Sequence, residues 1–444
     1  MEGATAAPKT QIGGVEVGDT QTRGALVASA WDGVFCTIML GIVETFGVAG
    51  AVTLGAHSVP ISLLGPLPTW LGTLAQLGLR RRLSAAARRP WVVSAVRTQA
   101  SMLLVLAVTG WAPAEWAATL YVLAFVLYGA SNAAVGHLWM SWISDVCPHH
   151  VLGRHMAWRS AVFACVQLST TAVAGWLARG YSSGTAPWSL YALAFAIAAA
   201  ARYVSAGFLA IQYEPPPAAP EQCAEPFRPS LALARFARAI ALLNGSTLVA
   251  GPFFAVWFLR DLGLSYLHFA VACGCTVAGQ LLANRFAGQL ADDLGAARVL
   301  RVGAFFAALV PIPYLWITNA WQVWIANFCS GVAWACVNLA AFKYLVQASH
   351  GDPNRSGFVY ANLWLTSTNL VMGVAGGLLA PLLPVLFTWQ LQTLFLLSAL
   401  LRLTVFLMYF TRLIDLEPTE QGRRWGPGRL FQIFRWSGPG STQV

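Results

Sequence analysis

Residues 188–211 read WSLYALAFAIAAAARYVSAGFLAI, and this segment decides the class of fold. A helix needs roughly 20 mostly apolar residues to cross the hydrocarbon core of a bilayer, and this run is long enough. Its only charged residue is Arg202, near the carboxyl end. A surface helix of a soluble protein carries a polar face, which this segment lacks. It therefore predicts a transmembrane helix.

Similar apolar stretches recur along the chain, and the loops between them are mostly short. We predict an all-α polytopic membrane protein in which twelve transmembrane helices form two six-helix bundles. The predicted spans are 29–51, 58–79, 91–110, 116–143, 158–178, 188–211, 236–259, 265–287, 298–318, 321–346, 358–380 and 389–411.

The composition supports a membrane protein. Of the residues, 57% are hydrophobic and only 10% are charged, whereas ordinary soluble domains are about 25% charged. This excludes a soluble enzyme, a nucleic-acid-binding domain, a secreted disulfide scaffold and a disordered chain. The 8 cysteines show no CxxC spacing, so we interpret them as small apolar fillers. We expect neither a metal nor a cofactor.

The basic residues predict the orientation of the chain. One set of loops contains Arg80-Arg81-Arg82, Arg88, Arg89, Arg154, Arg159, Arg228, Arg235, Arg298, Arg301 and Arg355, and the opposite set contains only Arg179 and Arg260. Cytoplasmic loops carry the excess of Lys and Arg. We therefore expect a multi-pass protein of a bacterial inner membrane, surrounded by lipid, with both termini in the cytoplasm. The net charge of +10 is then a topology signal, and we expect no nucleic-acid partner.

A proline-rich loop divides the chain between spans 6 and 7. No cleavable signal peptide is expected, because residues 1–25 have no apolar core. The predicted organisation is a disordered cytosolic tail at 1–28, an N-terminal six-helix bundle at 29–211, a cytosolic linker at 212–235, a C-terminal six-helix bundle at 236–411, and a basic and aromatic cytosolic tail at 412–444.

The two predicted bundles share short motifs in one register. Val173-Ala174-Gly175 matches Val374-Ala375-Gly376, and Arg202 matches Arg402 near the ends of spans 6 and 12. Such matches indicate an internal repeat. Both arginines lie near predicted cytoplasmic ends, so we expect their side chains to extend to the membrane surface.

The loop between spans 8 and 9 carries the most specific motif, GQLADDLGAAR at 288–298. Together with the six-plus-six arrangement, it resembles the cytoplasmic-loop signature of the major facilitator superfamily. Residues 145–154 after span 4 resemble a second pattern of that family, whereas Arg80-Arg81-Arg82 departs from it by lacking an Asp. The resemblance implies two bundles around a central cavity.

These loops supply candidates for conformational control. An Asp beside a helix N-terminus is stabilised by the helix dipole, although a solvated turn explains the same residues. The candidates are Asp145, Arg154, Gly288, Asp292, Gly295 and Arg298. A further predicted gate pairs Asp32 with Lys343 across the bundles; the alternative for Lys343 is extension to the membrane surface.

Glu44 is the first candidate for proton coupling. It lies roughly 22 Å from the start of span 1, where a charge costs about 2.5–3.5 kcal/mol. Burial disfavours the charged form, so the carboxyl group can bind a proton reversibly; a permanently neutral, hydrogen-bonded acid is the alternative. His137 in span 4 is the second candidate, because histidine titrates near neutral pH. A packed, structural histidine is equally compatible with its apolar neighbours.

The resemblance implies that spans 1, 4, 7 and 10 line the cavity. The polar residues on these spans and on span 11 are candidates for contact with a substrate, although polar side chains also hold membrane helices together. They are Asn132, Asn244, Trp257, Asn327, Trp334, Asn338 and Asn369.

We therefore predict a secondary active transporter of a small organic solute. It would work by alternating access as a monomer, coupled to protons or another ion, and it would not be an enzyme. No GxxxxGK[ST] motif for ATP binding occurs in the sequence. The alternative is a non-transporting protein of the same fold that serves as a membrane chaperone or assembly factor for a hydrophobic cofactor.

Overall fold

The computed structural model describes residues 10–12, 15–17, 19–83, 87–146, 149–181, 186–214, 228–349 and 356–416. Within these ranges the chain is almost entirely helical. The α-helices are α1 Asp19–Thr53, α2 Ser58–Leu63, α3 Pro66–Leu83, α4 Arg89–Val108, α5 Ala114–Val146, α6 His149–Leu177, α7 Trp188–Ile211, α8 Leu231–Leu248, α9 Gly251–Val256, α10 Tyr266–Leu294, α11 Ala296–Leu309, α12 Ala320–Ala348, α13 Ser356–Leu379 and α14 Gln390–Tyr409.

Every predicted span coincides with a helical segment, which confirms the all-α polytopic fold. In the described residues, 10 helical segments are long and apolar enough to cross a membrane. The other two predicted spans are helical but less uniform. The span at 58–79 is interrupted before Pro66, between α2 and α3, and α13 carries a polar stretch that includes Asn362 and Asn369. Span 7 is formed by α8, α9 and a π-helical turn at Trp257–Asp261.

Part of the predicted tail at 1–28 lies within the described residues. Strands β1 (Thr10–Ile12) and β2 (Val15–Val17) pair in antiparallel fashion, and α1 begins at Asp19. Thr and Val favour strands. Most of the predicted tail at 412–444 and part of the predicted linker at 212–235 lie outside the described residues.

Two helix seams join the first half of the chain (α1–α7) to the second half (α8–α14). At one seam α6 packs against α10, and at the other α2 and α3 pack against α13. Small residues allow this close approach: a Cβ atom added at Gly175 of α6 would lie 2.4 Å from the Cβ atom of Ala270 on α10. The close packing of the helices at these seams therefore depends on small residues.

The hydrophobic core is continuous across both halves at only one end of the described bundle. We call the end where α1 begins and α14 ends the terminal end, and the end where α1 stops at Thr53 and α10 begins at Tyr266 the opposite end. At the opposite end one cluster contains residues of both halves, among them Phe46, Tyr191, Phe253, Trp257, Tyr266 and Leu394.

At the terminal end each half has its own core. The first half packs around Val92, Trp142 and Leu209, and the second half packs around Phe236 and Tyr344. Because burial of apolar side chains holds packed elements together, the halves are joined at the opposite end and separate at the terminal end. The described conformation is therefore open toward the terminal end.

Helices α10 and α12 approach each other closely at two glycines. A Cβ atom added at Gly279 would lie 2.3 Å from the carbonyl oxygen of Phe328, and one added at Gly331 would lie 2.1 Å from that of Thr276. Both distances are too short for any side chain. Gly279 and Gly331 thus set the spacing of these helices.

We predict that Gly331→Ala destabilises the second half. Overpacking costs about 1–3 kcal/mol, so the melting temperature of the detergent-purified protein should fall. The matched control is Gly207→Ala in α7, where an added Cβ atom meets no atom within 4 Å, and where Ala favours the helix by about 1 kcal/mol. Equal melting temperatures for the two variants would contradict the close packing of α10 and α12.

Candidate functional site

Glu44 is an exposed carboxylate in an otherwise buried stretch of α1. Its neighbours Val43 and Thr45 are buried, whereas its own side chain is exposed. Gln167 Nε2 on α6 donates a hydrogen bond to Glu44 Oε2 at 2.8 Å. Tyr128 on α5 and Cys273 on α10, in the second half, lie in the neighbourhood of this carboxylate. Glu44 therefore faces a solvent-accessible space between the halves.

The seam between α1 and α6 positions two carboxyl groups. Side chains of α6 pack directly against glycines of α1, with Phe163 at Gly33 and Thr170 at Gly41. Asp32 and Glu44 lie twelve residues apart on α1, which corresponds to roughly 18 Å along a helix. Each of them meets a polar side chain of α6, so this seam carries both acidic groups of the membrane interior of α1.

Asp32 belongs to a buried network that connects three helices. Ser205 Oγ on α7 donates to Asp32 Oδ1 at 2.7 Å, and Arg202 Nη1 donates to Ser205 Oγ at 2.8 Å while lying 3.7 Å from Asp32 Oδ1. Arg202 Nε donates to Gln99 Oε1 on α4 at 2.5 Å. A buried charge requires an opposite charge and hydrogen bonds, and Arg202 and Ser205 supply both for Asp32.

Arg159 on α6 stands at the edge of this network with weaker contacts. Its Nη2 lies 3.9 Å from Asp32 Oδ2, and 11% of its side chain is exposed. The guanidinium carbon lies 3.9 Å from the ring centroid of Trp139 and 4.4 Å from that of Phe163. Arg159 Nε and Trp139 Nε1 are both buried without a hydrogen-bond partner.

Asp32 and Lys343 bind other partners in this conformation, so the gate between them stays a prediction for another conformation. Asp32 forms its ion pairs inside the first half, with Arg202 and Arg159. Lys343 Nζ donates to the carbonyl oxygen of Ala291 at 2.8 Å, inside the second half. The halves have separate cores at the terminal end, so the two groups find partners within their own half.

Arg202 and Arg402 do not extend to the membrane surface as the sequence suggested. Their exposed fractions are 2% and 1%. Arg402 donates to Ser398 Oγ and to the carbonyl oxygen of Ala307, each at 3.1 Å. Internal acceptors thus replace part of the lost hydration, while Nη2 of Arg402 is buried without a hydrogen-bond partner. In the sequence, the two arginines were recognisable because they occupy equivalent positions of the internal repeat. The partners of Arg202, Gln99 and Ser205, belong to no motif that would have identified them.

Trp257 does not line the cavity in the described conformation. Its exposed fraction is 0%, and its ring packs edge-on against Trp389, Tyr314 and Phe395 in the shared core. Trp257 is buried because it lies at the opposite end, where the two halves are joined. Its role in substrate contact remains a prediction for another conformation.

The predicted asparagines occupy different environments. Asn338 is exposed, and the others are partly buried, as is Trp334. Asn327 accepts a hydrogen bond from Thr276 Oγ1 at 3.0 Å, and Asn244 donates to the carbonyl oxygen of Ile240 in its own helix. Asn132 lies 3.5 Å from Gln99 Nε2, at the edge of the Asp32 network. Asn369 Oδ1 is buried without a hydrogen-bond partner.

The GQLADDLGAAR loop forms the connection between α10 and α11. Gly295 adopts φ +88° between the two helices, a conformation that favours glycine. Gly288 lies on α10, and Arg298 is exposed on α11. The backbone of four other candidates lies on described helices, but their side chains are outside the described part of the chain; these are His137, Asp145, Arg154 and Asp292.

Tyrosine residues connect the halves at the opposite end. The hydroxyl groups of Tyr191 on α7 and Tyr266 on α10 form a short hydrogen bond. Tyr191 also hydrogen-bonds Thr53 Oγ1 at 2.8 Å, and Phe46 packs against both tyrosine rings. This cluster closes the opposite end. Among the described residues, no group of three or more His, Cys, Asp or Glu is placed to bind a metal ion.

Comparison with known proteins identifies the architecture. The family described as Major Facilitator Superfamily matches residues 24–361. A search of curated proteins gave no match.

Three solved structures illustrate the likeness of fold. A bacterial homologue of the human lysosomal transporter Spinster, inward-facing and occupied, has 14% identity and a TM-score of 0.68, covering 93% of this chain and 100% of its own. An inward-facing bacterial homologue of the iron transporter ferroportin has 15% identity and a TM-score of 0.65, covering 88% and 99%. The inward-open xylose transporter XylE from E. coli has 12% identity and a TM-score of 0.65, covering 90% and 97%.

We predict that Asp32→Asn strongly destabilises the first half. Removing one partner of a buried ion pair costs about 3–5 kcal/mol, so the melting temperature of the purified protein should fall by several degrees. The control is Asp415→Asn, which breaks a pair with Arg301 at 3.2 Å in which Asp415 is 47% exposed; such pairs contribute about 0–1 kcal/mol. An Asp32→Asn variant as stable as the control would show that the network contributes little to folding.

Proposed function

Because the chain belongs to the Major Facilitator Superfamily, we propose that it is a secondary active transporter. It moves a small organic solute by alternating access and is coupled to protons through Glu44. The observation that carries this proposal is the exposure of Glu44 between the two halves, within the span Gly24–Thr53. A charged carboxylate at such a depth is energetically costly. Reversible binding of a proton by Glu44 would explain why an acid is present there.

The distribution of core packing supports alternating access. The shared cluster closes the opposite end, and separate cores leave the halves apart at the terminal end. Rocking of the halves would break the hydrogen bond between Tyr191 and Tyr266 and bring the terminal ends together. The described conformation is then one of the two states that such a transporter requires.

The surroundings of Glu44 suit reversible proton binding. Gln167 donates to its carboxylate, and Tyr128 and Cys273 are the titratable groups in electrostatic range. Among the described residues, no Lys or Arg forms an ion pair with it. When the cavity is open, water stabilises the charged form; when the cavity closes, binding a proton removes the charge. His137 remains the second candidate for proton transfer.

The topology completes the proposal. The arginine-rich loops lie at the terminal end, so by the positive-inside rule this end and both termini face the cytoplasm of a bacterium. The protein then works in the inner membrane as a monomer. The described conformation is open to the cytoplasm.

A membrane chaperone for a hydrophobic cofactor is the second candidate from sequence. That function calls for a permanently neutral cavity. The exposed carboxylate of Glu44 favours transport instead, and the transport assay below separates the two functions.

We predict that Glu44→Gln abolishes proton-driven accumulation. In proteoliposomes with a pH gradient, uptake of a solute from an organic-solute panel should exceed equilibrium for the wild type and reach only equilibrium for the variant, because Gln cannot bind or release a proton. Exchange of solute without a gradient should persist.

The matched control is Glu115→Gln, which changes an exposed acid at the start of α5 and should accumulate solute like the wild type. If Glu44→Gln accumulates solute normally, the coupling role is refuted. If the wild type transports no solute of the panel but binds a hydrophobic cofactor, the result favours the chaperone function over transport.

We predict that Tyr266→Phe shifts the conformational equilibrium toward opening at the opposite end. Loss of one buried hydrogen bond costs about 1 kcal/mol, which is roughly a five-fold change in populations. Spin labels at exposed His57 and Arg260, one in each half, should show more of the long-distance population. Tyr314→Phe changes a tyrosine of the shared core whose ring packs against Trp257 of its own half, and it should leave the distances unchanged.

A further inference from the structure

We propose that Arg159 and Trp139 form the binding site for an oxyanion of the transported solute. The solute is then an organic anion, with a carboxylate or phosphate group and an apolar body. This inference rests on the proposed transport function and names the chemical class of its substrate. The observations that carry it are an excess positive charge and two buried donors without acceptors.

Among the described residues, the Asp32 network contains two arginines and one carboxylate. Ser205 donates to Asp32 at 2.7 Å, and Arg202 lies 3.7 Å from the same carboxylate oxygen. The donors of Arg202 are engaged by Gln99 and Ser205. Asp32 is thus compensated by one arginine, and Arg159 adds a second positive charge to the same buried cluster. A buried charge without a full partner is unfavourable, and an anion would compensate for it.

The donors of Arg159 are also open. Its contact with Asp32 is 3.9 Å, beyond the 2.7–3.2 Å of a hydrogen bond. Its Nε is buried without a hydrogen-bond partner. A guanidinium group presents five N–H donors in a planar fork that matches carboxylate and phosphate oxygens. Arg159 therefore has the geometry and the free donors to bind an oxyanion.

Trp139 supplies a second and independent donor at the same place. The guanidinium carbon of Arg159 lies 3.9 Å from its ring centroid, and its indole Nε1 is buried without a partner. An indole N–H can only donate, so Arg159 and Trp139 both require an acceptor. Phe163 flanks the guanidinium on α6, and the two aromatic rings offer apolar surface to the body of the solute.

In the described part of the second half, Arg402 also has a buried donor without a hydrogen-bond partner, its Nη2, but it differs from Arg159 in accessibility. Arg402 matches Arg202 in the repeat, and it lies in the interior with 1% of its surface exposed. Its Nε and Nη1 bind Ser398 and Ala307, so we interpret it as a connection between α11 and α14. Arg159, with 11% of its side chain exposed, is accessible where Arg402 is not.

Binding of labelled benzoate and phenyl phosphate to the purified, full-length protein tests the site. Wild-type protein should bind at least one of the two acids saturably, and benzamide, the neutral analogue of benzoate, should not compete. The two acids distinguish a carboxylate from a phosphate. Arg159→Gln should weaken binding at least ten-fold, because it removes the charge and the fork of donors.

Three further variants make the test specific. Arg159→Lys keeps the charge without the planar fork and should bind with intermediate affinity. Trp139→Phe keeps the ring and loses only the N–H donor, and it should weaken binding a few-fold. The matched control is Arg179→Gln, because Arg179 follows the end of α6, lies over the ring of Trp176 at 4.2 Å from its centroid and is exposed; it should bind like the wild type.

Several outcomes would overturn the proposal. They are equal competition by benzamide and benzoate, unchanged affinity in a folded Arg159→Gln variant, or no saturable binding of either acid to the wild type, in which case water satisfies the two donors. Binding is measured without a pH gradient. Failure of proton coupling in the Glu44→Gln assay is therefore distinguishable from failure of the anion site.

Discussion

The shared core at the opposite end is the constraint on which the other features of the structure depend. Phe46 packs against Tyr191 and Tyr266, and the hydroxyl groups of the two tyrosines bond across the halves. Because the halves are joined there, they separate at the terminal end. Glu44, two residues before Phe46 on α1, is exposed although its neighbours Val43 and Thr45 are buried.

The two halves each contain a buried arginine at an equivalent position, but the groups around it differ. Arg202 and Arg402 occupy matched places and are both buried. In the second half, hydroxyl and carbonyl oxygens accept from Nε and Nη1 of Arg402, and its Nη2 is buried without a hydrogen-bond partner. In the first half, Asp32 and Arg159 are added to the matched Arg202, and Arg159 lies beside two aromatic rings. We attribute structural roles to the matched arginines and a binding role to the unmatched one.

Sequence reasoning succeeded where a local property decides the outcome and failed where a partner decides it. The apolar spans and the prominence of Glu44 follow from residue type and depth. Asp32 and Lys343 were paired because their depths along the membrane agreed, but each binds within its own half. Arg202 was expected at the surface because its acceptor Gln99 and its companion Ser205 lie on other parts of the chain.

The sequence by itself determined the all-α membrane fold and singled out Glu44, because hydropathy, residue type and position along a span are properties of the chain. Only the tertiary structure decided which other charges are buried, which are compensated and which are accessible. Compensation depends on distances of a few ångströms between helices that are far apart in sequence. The open donors of Arg159 and Trp139 could therefore be found only after the helices had been packed together.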